Sequence, residues 1–159
     1  MDENTYVHIL VSTLSKKSNL LDNLITVTLL QEGYINTEPF DMEQFEQTLP
    51  DKEVMIEQLN QLDEGFEQVY DHVKNQLNNY KNQFEQEILQ LQELIRQVTE
   101  KSVKLQALEM QNKNKLESYF AIKKKEIKDF KMSRQMANNY YKHAANQHSG
   151  ESYFLDKKN

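Results

Sequence analysis

Apolar residues recur along this chain every three or four positions, with few interruptions. Tyr6, Leu10, Leu14, Leu21 and Leu24 fall on one helical face, and Ile9, Leu20, Ile25, Val27, Leu29 and Leu30 widen it. The pattern predicts a first helix near 4–32, with Gly33 as its C-cap. The stretch GYINTEPFDMEQFEQTLP (33–50) holds both prolines and reads as a linker with a short helix over 41–49, from which Phe40, Phe45 and Leu49 cap the core. Pro50 followed by Asp51 and Glu53 reads as a helix start.

From there the period of three and four continues. Leu59, Leu62, Phe66, Val69 or Tyr70, Val73, Leu77, Tyr80, Phe84, Ile88, Leu91, Ile95 and Val98 carry it, and Ser102, Leu105, Glu109 and Asn112 hold the seam before Leu116, Phe120, Ile127 and Phe130. One helix over 51–140 would be roughly 135 Å long, so the chain must fold back. The polar stretch NQLNNYKNQ (75–83) is preferred as the turn over Gly65, through which the seam runs without a slip, and helices are predicted near 51–77 and 82–140. The seam weakens between Ser102 and Asn112, where a kink or emergence from the bundle is expected. The expected fold is all-α: an antiparallel bundle of three long helices with coiled-coil-like packing over 1–141, followed by a flexible C-terminal tail, 142–159.

Composition narrows the function. Three glycines, two prolines and no cysteine among 159 residues suit a helical protein in a reducing compartment. No apolar run reaches bilayer length, and the acidic N-terminus is unlike a signal peptide, so a cytoplasmic location is expected. Charge is uneven: residues 1–100 carry 19 acids and 6 bases, residues 101–159 carry 6 and 13. The basic part reads as lying along acidic helices of the same molecule rather than as a nucleic-acid or membrane surface. The run AIKKKEIKDFK (121–131) puts Ile122, Ile127 and Phe130 on one face and its lysines on the rest, as a solvated bundle helix does.

Catalytic patterns are missing from the sequence. It has no cysteine nucleophile, no glycine-rich phosphate loop and no HExxH, and none of His8, His72, His143 and His148 follows a Glu by three residues. The four histidines read as surface residues. No enzyme activity, metal or cofactor is expected. A binding protein fits best.

Longer stretches give this a family likeness. DKEVMIEQLNQLDEGFEQVYDHV (51–73) resembles the second helix of FlgN-type flagellar export chaperones, with Lys52-Glu53, Leu59 and Leu62-Asp63 at the family's positions. LQELIRQVTEKSVKLQALEMQNKNKLESYF (91–120) is similar to the long third helix, with Asn112 and Asn114 in its polar middle, and NNYYKHAANQHSGESYFLDKKN to the terminus of clostridial-type members. The resemblance implies a chaperone of type III secretion. Such a protein binds the C-terminal helices of hook-associated, hook–filament junction proteins and delivers them to the cytoplasmic domain of the export gate. A chaperone for the filament-cap protein and a structural homodimeric coiled coil are the alternatives, so monomer and homodimer both stay open.

Two sets of site residues follow. A third helix of about 59 residues must overhang two of about 40 Å, so Leu105, Leu116, Tyr119, Phe120, Ile127 and Phe130 are expected to meet the cargo, the alternatives being burial by a third helix that bends back or a dimer interface between two copies. Tyr140, Tyr141, Tyr153, Phe154 and Leu155, around a polar spacer, form a candidate docking motif, for which the resemblance supplies the export gate as partner.

Overall fold

The computed structural model of the chain describes residues 2–124 and 138–139. It contains three helices, α1 (Glu3–Ile35), α2 (Met42–Asn79) and α3 (Glu85–Ile122), and no strand among the described residues. They run up, down and up. Asp2 starts α1 by accepting from the Thr5 backbone N–H at 2.9 Å, and Asp41 starts α2 by accepting from that of Gln44 at 3.2 Å. Between them, the Thr37 hydroxyl donates to Tyr34 O and accepts from the Asp41 N–H, closing the 36–41 connection.

Every helix has a seam with alternating steps of three and four. In α1 it runs Val7, Leu10, Leu14, Lys17, Leu21, Leu24, Thr28, Gln31 and Ile35, all buried. In α2 it passes through Phe45, Leu49, Lys52, Ile56, Leu59, Tyr70, Val73 and Leu77, and in α3 through Leu91, Ile95, Val98, Ser102, Leu105, Glu109, Asn112 and Leu116. The antiparallel all-α bundle with coiled-coil-like seams is therefore present. Three apolar clusters stack along it. One is centred on Leu10 and Val73, one on Leu24 and Leu59, and one on Phe45 and Phe120.

The anticipated fold-back lies within 75–83: α2 ends at Asn79, Tyr80 donates its N–H to Gln76 O, and buried Phe84 opens α3. Other expectations are corrected. α1 passes Gly33 and ends at Ile35, with Asn36 as its C-cap. Leu29 and Leu30 are 46 % exposed, because the polar Thr28 and Gln31 take the seam positions beside them. Half-buried Leu62 yields its seam position to Asp63, which meets Lys17, and Tyr80 is exposed.

The linker and short helix do not exist as separate pieces. α2 begins at Met42 and runs through Pro50. A proline inside a helix forfeits one backbone hydrogen bond and costs about 3 kcal/mol. Phe45 and Leu49 on one side and Lys52 and Ile56 on the other, all buried, hold the helix across it. Nine residues added at its start and two at its end give α2 the same 38-residue length as α3. α3 stops at Ile122, with Lys123 and Lys124 in a turn, so there is no overhang at this point. The proposed extension to 140 and the 142–159 tail lie outside the described residues, apart from Asn138 and Asn139, which are helical.

The seam assignment is testable by truncation. Leu24→Ala or Leu59→Ala, both at 0 % exposure, should cost about 2–5 kcal/mol in urea unfolding. Leu30→Ala should stay within about 0.5 kcal/mol of the parent. Equal effects would overturn the seam.

Candidate functional site

Two polar layers separate the three apolar clusters. In the first, Lys17 is 2 % exposed and donates to Asp63 Oδ1 at 2.5 Å, while Lys101 donates to Ser18 Oγ at 2.7 Å and Asp22 Oδ2 at 2.9 Å. Burial pushes the Lys17 ammonium below its ordinary pKa, and Asp63 pulls it back.

The second layer involves all three helices. Lys52, fully buried on α2, donates to Glu109 Oε1 of α3 and to Gln31 Oε1 of α1, the latter at 2.5 Å. Thr28 Oγ1 is 2.9 Å from Glu109 Oε1 and 2.7 Å from Leu24 O. Gln31 Nε2 donates to Thr48 Oγ1 at 2.8 Å, and Asn112 Nδ2 to Thr28 O at 3.1 Å. Burial opposes both charges of the central pair. It brings Lys52 down to about 8 and raises Glu109, while each partner draws the other back toward its charged form. A layer so enclosed has no room for a substrate. It holds helices in register.

The polar layers account for the weak seam between Ser102 and Asn112. Those residues are buried, and α3 remains one continuous helix past them. They also relocate part of the expected cargo stripe. Leu105, Leu116 and Phe120 are 2–5 % exposed and face the chain's own core, and half-buried Tyr119 stacks on Phe40 at 4.6 Å. Because α2 starts at Met42, it and α1 cover this part of α3. Ile127, Phe130, Tyr140, Tyr141, Tyr153, Phe154 and Leu155 lie outside the described residues.

A different surface emerges from the helix spacing. α1 packs closely along both neighbours, but the α2 and α3 backbones hardly approach one another. Lys101 and Lys115 reach α1 residues or its C-cap, which places that flank of α3 toward α1. The opposite flank borders the gap to α2, and on it, one heptad position apart or two, sit Leu89, Val103 and Met110, at 59, 57 and 57 % exposure. The facing flank of α2 carries Glu53, Glu57, Glu64 and Glu67, all exposed and in no ion pair among the described residues. Arg96, between Leu89 and Val103, is held by Glu93 at 2.5 Å and Glu100 at 2.6 Å. We call the strip between these two flanks the α2/α3 groove: its α3 side carries Leu89, Val103 and Met110 with Arg96 among them, and its α2 side carries the four glutamates. Sequence reading passed over it because Leu89, Val103 and Met110 lie off the seam; their sevenfold spacing was the available signal.

Among the described residues no helix is long and apolar enough to cross a membrane, and no cluster of three or more His, Cys, Asp or Glu could hold a metal ion. A scan of protein-family models found none that matches, and neither the curated proteins nor the solved structures gave a match.

The central pair makes two predictions. Lys52→Met leaves Glu109 buried beside an apolar chain and should destabilise by about 3–5 kcal/mol, whereas Lys52→Met with Glu109→Leu should return to the parent's stability or above it. Chemical denaturation of both variants checks this. A double variant no better than the single one would contradict the pairing. The second concerns pH. In the unfolded chain Lys52 holds its proton up to its ordinary 10.5, in the bundle only to about 8. Between those values the unfolded state binds more protons, so stability from this group rises as pH rises. Relative to the double variant, the parent should gain stability from pH 8 to 10.5, and a flat difference would refute the buried lysine's lowered pKa.

Proposed function

We propose that the chain is a flagellar export chaperone of the FlgN type, which takes up the C-terminal helices of a hook–filament junction protein in the cytoplasm and hands them to the export gate. The observation that carries this reading is the groove between α2 and α3. α1 already seals one side of the bundle. The other side offers an apolar line at heptad spacing, along which an amphipathic helix can lie as a fourth member. Export subunits polymerise through terminal helices, so a protein that covers an apolar helix face keeps them apart. No nucleotide is required for that, since binding alone shifts the equilibrium. The acidic wall favours helices with a basic flank and speeds their encounter.

Titration calorimetry with the full chain tests it. The C-terminal segment of a hook–filament junction protein should bind one to one. Val103→Asp with Met110→Asp should weaken binding about tenfold or more, while melting stays unchanged because both side chains are exposed. Binding that ignores these substitutions would remove the groove from the cargo site. Binding of the filament-cap subunit alone would give the chaperone a different cargo. A stable dimer that binds neither would replace the chaperone reading with the structural coiled coil.

A further inference from the structure

The exposed line on α3 has one charged member. Leu89, Arg96, Val103 and Met110 stand seven residues apart, so one face of α3 reads apolar, cationic, apolar, apolar in steps of about 10 Å. Arg96 is also held in place. Glu93 Oε2 accepts from its Nε at 3.0 Å and Glu93 Oε1 from Nη2 at 2.5 Å, while Glu100 Oε1 accepts from Nη1 at 2.6 Å. Two carboxylates of its own helix thus fix the plane of the guanidinium from either side. They leave one N–H on Nη1 and one on Nη2 with no acceptor among the described residues.

Those two donors decide what can lie over Arg96. The side chain is exposed, so solvent serves both while the groove is open. A helix that covered them with a leucine would leave both unmet. The occupant therefore needs an acceptor at this one layer, and a carboxylate is a poor one. Glu93 and Glu100 already outnumber the arginine, and Glu64 and Glu67 stand across from it on α2. Their level follows from the contact of Lys52 with Glu109: Arg96 lies thirteen residues before Glu109, and thirteen residues past Lys52 in antiparallel α2 is position 65. An incoming carboxylate would meet four negative charges and one positive. A carboxamide is neutral; its oxygen accepts from Arg96 and its NH2 donates to the carboxylates around it.

We infer that Arg96 sets the register of the helix bound in the α2/α3 groove, and that this helix carries one Asn or Gln, opposite Arg96, in an otherwise apolar heptad line. This builds on the reading of the groove as a helix-binding site and adds the one position at which the bound helix must be polar. Apolar contacts alone would let a heptad-repeating partner slide by seven residues over Val103 and Met110. A single polar layer among apolar ones removes that freedom, at some cost in affinity. Arg96 is second of the four positions in the line, so it also distinguishes the two directions in which a helix can lie.

Designed peptides test this apart from any natural cargo. Three amphipathic helices of four heptads, each with a lysine flank, carry leucine at all four line positions, or Asn at the second, or Asn at the third. In titration calorimetry with the full chain, one Asn peptide should bind about tenfold or more tightly than the other two peptides. Arg96→Leu should keep the parent's melting temperature and reverse the order in favour of the all-leucine peptide. Arg96→Lys keeps the charge without the planar set of donors and should lose most of the preference for Asn. A parent that binds the all-leucine peptide best, or an Asn preference that survives Arg96→Leu, overturns the role of Arg96 and leaves the groove a helix site. Binding of none of the three peptides overturns it as well, and the cargo titration then decides separately whether the groove binds a helix at all.

Discussion

The contact between Lys52 and Glu109 fixes how the three helices stand against one another. It crosses the widest interhelical gap in the bundle, where backbones cannot interlock, and ties α2 to α3 through two long side chains. Gln31, Thr28 and Asn112 surround it from α1 and α3, so the same layer fixes α1 as well. Repetitive seams are otherwise free to slide by a heptad with little change in apolar contact. Here a slide of α3 would set Lys52 opposite Ser102 or Leu116 and leave a buried ammonium without its carboxylate, a loss of several kcal/mol. The pair contributes little net stability over an apolar replacement. It makes one register much better than its neighbours.

This explains which parts of the fold could be read from the sequence. Period reveals helices, so their number, the seams of α2 and α3 and the turn near 75–83 were legible. Even Glu109 and Asn112 were placed on the seam, because flanking Leu105 and Leu116 hold the phase. Their meaning was not legible, since the partners Lys52, Thr28 and Gln31 lie on other helices and no local pattern announces a pairing 57 or 81 residues away. The same blindness misplaced Leu29 and Leu30. An apolar-only rule prefers two leucines to Thr28 and Gln31, although the polar pair has hydrogen bonds inside and the leucines have nothing to meet there. Pro50 misled for a different reason. It is a helix breaker in isolation, and buried anchors on either side override it.

The start of α2 at Met42 also decides where function can sit. With α2 short, the last third of α3 would overhang and present Leu105, Leu116 and Phe120. With α2 at full length those residues close the third apolar cluster together with Phe45. The seam is then used internally as far as α3 extends, and a partner has to use side chains off the seam. The gap between α2 and α3 supplies them, because α1 draws both helices toward itself and leaves their far flanks apart.

Charge then restricts what can fill that gap. Among the described residues four of the five bases of α3 are directed elsewhere. Lys101 meets Asp22, Lys115 meets Asn36, Lys113 meets Glu117, and Arg96 is shared by two glutamates of its own helix. None of them turns to Glu53, Glu57, Glu64 or Glu67. An acidic helix entering the groove would bring like charges together along its whole length, and a neutral one would leave that wall solvated but unmatched. A helix with one apolar and one basic flank matches both walls at once. Selectivity for a partner then rests on the apolar line of Leu89, Val103 and Met110, since the acidic wall serves any basic occupant alike.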